Sequence, residues 1–354
     1  MTEPTTLGRY HELLLRLAGR VSDVVVTGAR QRLSEGRVGD VARALRAAVG
    51  SGRLTVDAAE AALLAAALPD VDDPAPPNAG RAAALPAYAF APLLPGASAT
   101  MVPVVLDLTS TVAADSGPDA AAVAVAATAP GAVGLWRAWR APNATNPGRP
   151  VPVYLLETTA DPEEQPGIAA AVQGALWAAG VEHPQVEVYG PATALPPYQR
   201  LARGRSALLW AARPAGPVTI ARVFDRVDPV AGPRFDPGHE VLPVGPERDR
   251  VLSYLRAGHV LMATTAGAPD VVEPRRGDVV PMSYRTDGAW IWTDTVAYYL
   301  ENHGLSPDVE LMAHLRSAGD RPVVDSVAAH RAMVALTAPV EQPPAWTVAA
   351  APAR

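Results

Sequence analysis

Three stretches of this chain combine residue types and spacings that chemistry uses. The loop Asp236-Pro-Gly-His239-Glu240 gathers two carboxyl groups and an imidazole. Such groups do general acid–base work or hold a metal. Joined by Arg285, they give an enzyme reading, a hydrolase or transferase; a solvated turn is the plainer one. Asp225 and Asp228 lie nearby, but not at the spacing of a calcium loop. A second stretch, Leu195 to Arg205, presents Arg200, Arg203 and Arg205. Guanidinium groups so placed suit a small anion, a nucleotide or an acidic partner, against the plainer reading of a helix end and turn. The third, Tyr284 to Gly304, concentrates Arg285, Asp287, Trp290, Trp292, Tyr298 and Tyr299. Its plain reading is core packing. Its functional reading turns Arg285, Asp287, Trp290 and Tyr298 outward, because Trp, Tyr and Arg anchor protein interfaces. Strand alternation puts Trp290 and Trp292 on one face, so both are core or both are surface.

Composition removes other chemistry. All 30 cationic side chains are arginine, because lysine is absent, and cysteine is absent as well. Lysine Schiff-base chemistry, a lysine-bearing phosphate loop, thiolate metal sites and cysteine nucleophiles are therefore excluded. No Gly-x-Ser-x-Gly elbow occurs, since Ala-Arg-Gly-Arg-Ser206-Ala does not fit it. The 7 histidines are scattered, with no pair at helical metal-ligand spacing. The expectation is no cofactor and no metal. A net charge of -6 argues against a nucleic-acid partner. Met1 to Pro4 has neither a basic nor an apolar leader region, and the alanine-rich run from Ala120 to Trp136 is broken by Pro130-Gly131. A cytoplasmic protein with no membrane span is the expectation.

The elements that must position these residues fall into an α+β, multi-domain arrangement. Residues 1–68 read as a helical module of four helices. Tyr10, Leu13, Leu14 and Leu17 share one face of the first, Ser22-Asp23 opens the second, Asp40 caps the third and Thr55 begins the fourth. Residues 69–84 are a proline-rich acidic linker. Residues 85–213 read as an α/β domain of four or five strands. Strands are expected at 101–108, 133–140, 151–158, 185–189 and 206–212, with helices from Asp161 to Gly180 and from Tyr198 to Arg203. Residues 214–338 form a small α+β module. It should hold strands at 220–224, 259–264, 279–285 and 290–292, helices at 247–257 and from Asp294 to His303, and a final helix from Pro307. Residues 339–354 are a loose tail.

The segments Arg285-Thr-Asp-Gly-x-Trp-x-Trp292, Val296-x-Tyr-Tyr-Leu300 and Gly304-Leu-Ser-Pro307 resemble a C-terminal module of an uncharacterised actinobacterial-type family. Leu195-Pro-Pro-Tyr-Gln-Arg200 and Ser206-Ala-Leu-Leu-Trp210 are similar to segments of the same group. The resemblance covers about a third of the chain and carries no catalytic residue. It implies an accessory or interaction role, linked in some members to secretion or toxin–immunity genes. The sequence thus points to an accessory protein that binds another protein through the aromatic turn.

Overall fold

In the computed structural model, residues 5–67, 88–94, 103–111, 117–142, 148–319 and 322–338 are described. The expected linker at 69–84 and tail at 339–354 lie outside them. Helix α1 (Thr6–Leu17) opens on Thr5, whose hydroxyl accepts from the Gly8 amide, and buries Tyr10, Leu13, Leu14 and Leu17 completely. α2 (Asp23–Ser34) follows Ser22. α3 (Val38–Gly50) starts earlier than expected: Asp40 sits inside its first turn, paired with Arg37 and Arg43, and is not the cap. α4 (Ala58–Ala66) starts later than Thr55, because Asp57 caps it in a reciprocal box with Glu60. The four helices share one apolar core built on Leu33, Val41, Leu45 and Leu64.

The central sheet is mixed. β1 (Phe90–Ala91), β2 (Leu106–Asp107), β3 (Ala132–Arg140), β4 (Val151–Thr158), β5 (Gln185–Tyr189) and β6 (Ala207–Ala211) assemble in the order β2-β6-β3-β4-β5, with β1 paired to the last two residues of β3. β3 runs antiparallel to β4 and β6, whereas β4 and β5 are parallel neighbours. Alternation sorts the side chains. Tyr154, Leu156, Val186 and Val188 face α5 (Pro118–Ala126) and α6 (Gln165–Ala178). Trp136, Val153, Leu155 and Leu208 face α7 (Pro197–Arg203), the end of α1, and α11 (Ser326–Thr337). α5 and α11 were not expected. The alanine-rich run weighed as a membrane span supplies α5, whose Ala122 and Ala126 lie flat on the sheet. No helix among the described residues is long and apolar enough to cross a membrane.

The helical module seals the open edge at β5. The His11 Nε2–H donates to the Val188 carbonyl at 2.8 Å, and the Thr27 hydroxyl donates to that of Pro184 at 3.2 Å. Arg30 meets Glu187 at 2.6 Å, and Gln199 of α7 donates to the same carboxylate oxygen at 2.8 Å. A side chain of α1 thus occupies one edge carbonyl of β5, and side chains of α2 and α7 hold its flank, covering an edge that would otherwise template another chain.

The C-terminal unit holds β7 (Thr219–Ile220), the β8–β9 hairpin (Arg226–Asp228 and Gly232–Arg234), β10 (His259–Met262), β11 (Gly267–Ala268), β12 (Val280–Pro281), β13 (Tyr284–Thr286) and β14 (Trp290–Thr293). Its main sheet has the order β10-β13-β14-β7. The strand expected over 279–285 is split between two sheets, β12 pairing with β11 and β13 with β10, and the one over 220–224 pairs only at Thr219–Ile220. Helices α8 (Pro246–Ala257), α9 (Asp294–His303) and α10 (Val309–Ser317) cover Trp292. α9 ends on Gly304 at φ +72°, a left-handed cap that glycine adopts without strain. The chain then returns to the central sheet through α11: His330 donates to the Leu106 carbonyl at 2.8 Å and Arg331 binds Asp107 at 2.9 Å. The fold is α+β, with helices first, a mixed sheet in the middle and a smaller α+β unit after it.

Candidate functional site

Parallel β4 and β5 lie side by side, and the chain leaves their carboxyl ends in opposite directions. After β4 it passes to α6 on one face; after β5 it passes to α7 on the other. Diverging loops at adjacent parallel strand ends open a crevice, the place where α/β sheets bind ligands. Here it is a cleft of about 930 Å³.

Its floor is fixed by local hydrogen bonds. The Thr158 hydroxyl donates to the Pro130 carbonyl at 2.6 Å and accepts from the Ala160 amide at 3.0 Å, and the Thr193 amide donates to the Gly190 carbonyl at 3.0 Å. Pro162, Pro191, Pro196 and Pro197 stiffen the loop walls. The opposite wall belongs to the helical module, through Leu15 and Arg16 of α1, Arg20 of the turn after it and the α4 cap. Tyr198 closes the base. It accepts from Arg140 at 3.0 Å, and burial pushes its hydroxyl pKa up.

The cleft carries a surplus of negative charge. Glu12, Asp57, Glu60 and Asp161 line it against Arg16 and Arg20. Arg20 is consumed by Glu60, at 2.7 and 3.0 Å, and by the Thr55 carbonyl at 2.6 Å. Arg16 approaches the same carboxylate at 4.0 Å. Glu12 and Asp161 are exposed at the rim, free to meet a cation.

The aromatic turn is placed differently from its functional reading. Both tryptophans face the core. Trp292 is 1% exposed and its indole donates to the Leu255 carbonyl at 3.1 Å, while Trp290 packs on the same core and beside the His314 ring. Asp287 accepts from Tyr254 at 2.9 Å, from His314 at 2.5 Å and from the Trp290 amide at 2.7 Å. Arg285 binds Asp294 at 2.6 Å and the carbonyls of Arg256 and Gly258. Tyr299 is buried, and Tyr298 donates to Asp270 at 2.9 Å. Buried Asp270 also binds His303 and two loop amides, contacts that outweigh its burial and hold its carboxyl down at about 2. These side chains fasten loops to the C-terminal unit; an outward aromatic–arginine surface does not form.

The enzyme constellation does not assemble either. His239 Nδ1 lies 2.9 Å from Asp225, and its Nε2 2.9 Å from the Ser306 carbonyl. Asp236 is paired with Arg226, and the Glu240 carbonyl accepts from the Ser306 amide. Arg285 makes its contacts elsewhere. The three arginines of α7 and its exit also part company. Arg203 lies over Trp136 at 3.4 Å and donates to His330 and to the Ser326 carbonyl, whereas Arg200 and Arg205 face solvent. Among the described residues, no group of three or more His, Asp or Glu side chains is arranged to hold a metal ion.

The cleft escapes sequence reasoning because its charged groups come from α1, the α4 cap and the loop after β4. The available signal was the β4–α6–β5 unit, whose carboxyl ends mark where a crevice opens. No family model, no curated protein and no solved structure matches the chain.

Proposed function

We propose that the protein is a cytoplasmic accessory protein that binds a protein partner, and that the partner seats a basic, extended segment in the cleft beyond β4 and β5. The carrying observation is the crevice itself: about 930 Å³ at a strand-end switch point, with four carboxylates against two guanidinium groups. Proline walls favour the reading, because a stiff groove loses little entropy on binding. So does the aromatic turn, whose side chains are spent internally and leave the cleft as the better-formed surface.

Fluorescence anisotropy with a labelled Ala-Arg-Pro-Arg-Ala peptide tests it. The arginine peptide binds, its affinity falls with salt, and the E12R/D161R double variant weakens it at least tenfold. An Ala-Glu-Pro-Glu-Ala peptide does not bind. Equal binding of both peptides, or binding of neither, defeats the reading.

A further inference from the structure

A second cavity, of about 640 Å³, lies beside the first and shares Thr159 and Pro191 with it. It is roofed by the first turn of α11 and walled by the start of β3, with His259 of β10 among its lining residues. Much of its wall is apolar, including Ala132, Val133, Ala212 and Val327. Against this background stands one buried carboxyl, that of Glu157 on β4, only 5% exposed.

Glu157 lacks a hydrogen-bonded cation. Arg203, the cation nearest in charge to it, directs one terminal nitrogen to His330 at 3.0 Å and the other to the Ser326 carbonyl at 3.1 Å. The buried Ser326 hydroxyl, on the same wall, has the Glu157 carboxylate as its polar neighbour. Burial pushes the Glu157 carboxyl above its ordinary range; the Ser326 hydroxyl beside it and the Arg203 charge oppose this, and Asp325 adds to it. A buried carboxylate in this position is costly until a cation reaches it.

The second carboxyl at the cavity is already paired. Asp325 accepts from the Ala328 amide at 2.8 Å, quenching the positive end of α11, and pairs with Arg213 at 3.2 Å. Arg213 itself is 83% exposed. An ammonium group would find a carboxylate with a hydroxyl beside it, the hydroxyl able to donate to Glu157 and accept from the ammonium at once.

We propose that this chamber binds a small organic cation, a primary ammonium on a short apolar body, with Glu157 as its counter-ion and Ser326 as a second acceptor. The apolar body lies against Val133 and Val327, and the nitrogen reaches Glu157. A mostly apolar cavity with a few convergent polar groups is the usual form of a small-molecule site. This site stands independently of the peptide cleft.

The test uses the full chain, with n-butylamine, n-butanol and sodium butyrate as probes in calorimetry and thermal melting. Butylamine binds at one site and raises Tm with concentration; butanol and butyrate do not. Glu157→Gln abolishes the response while the free protein melts at or above the wild-type temperature. Ala132→Leu, which keeps the carboxyl and narrows the chamber, also removes it. The E12R/D161R variant retains it, separating the chamber from the acidic cleft. A butanol or butyrate shift equal to that of the amine, no amine binding, or an amine response kept in both Glu157→Gln and Ala132→Leu overturns the proposal.

Discussion

Arg30 of α2 and Glu187 of β5 form a 2.6 Å ion pair across 157 positions of sequence, with both side chains at most 1% exposed. Its partners show why it persists. Gln199 donates to the same carboxylate oxygen and also to the Leu15 carbonyl, so one network ties α1, α2, α7 and the edge strand together. Taking two charges out of water is costly, and such a pair fixes geometry more than it adds stability. Arg30→Met, which strands a buried carboxylate, should therefore cost about 3–5 kcal/mol in urea denaturation. The double variant Arg30→Met/Glu187→Leu should recover much of that loss. A single variant no less stable than wild type would mean that the helical module is not held by this pair.

Acid should loosen both ends of the central sheet through histidine, at β5 through His11 and at β2 through His330. Burial lowers the His11 pKa to about 4 and the His330 pKa to about 3, so both rings are neutral in the fold. Geometry agrees for His330, whose Nδ1 accepts from Arg203 while its Nε2–H donates to Leu106. In the unfolded chain both titrate near 6.5, so the unfolded state binds more protons below that pH. Their stabilising contribution is complete above about pH 7 and declines as pH falls from 6.5 toward 4. At pH 5 each costs about 2 kcal/mol relative to neutral pH. Urea midpoints measured from pH 7.5 to 5 check this. His11→Gln, which keeps a donor for Val188, should flatten about half of the slope.

The tryptophans of β14 separate the two readings of the aromatic turn. Trp292→Ala empties a fully enclosed site and should cost about 3–5 kcal/mol. Trp290→Ala, at the edge of the same core, should cost less and leave arginine-peptide binding intact. Loss of peptide binding with an unchanged Tm would return the interface to the turn.

Much of the architecture was legible because it is local. The periodicity of Tyr10, Leu13, Leu14 and Leu17 marks α1, and the apolar run at Val151–Thr158 marks β4. α5 was not legible, since an alanine run has no polar face to give it a period. α11 was missed because its inward residues, Val327 and His330, acquire meaning only beside Trp136, Arg203 and Leu106, far away in sequence. The cleft was hidden for the same reason. Glu12, Asp57 and Asp161 look like ordinary surface charges until the helical module folds against the strand ends.

Gly19 links that packing to the cleft and can be tested by one added methyl. Its φ of +75° lies in the left-handed region, and a Cβ there would stand 2.5 Å from Tyr198 Cδ2. The Tyr88 hydroxyl also donates to the Gly19 carbonyl at 2.8 Å, so the backbone cannot simply move away. Gly19→Ala therefore meets both backbone strain and a clash, and should cost about 1–3 kcal/mol. The displaced ring is Tyr198, which forms the base of the cleft and accepts from Arg140. Arginine-peptide affinity should fall with stability, although the substitution adds no charge and removes no contact at the acidic rim. Gly36→Ala makes the control: its φ is +72°, yet nothing lies within 4 Å of an added Cβ. It should lose about 1 kcal/mol from backbone strain alone and bind the peptide as wild type does. Equal peptide affinity in the two variants would disconnect the α1 turn from the cleft.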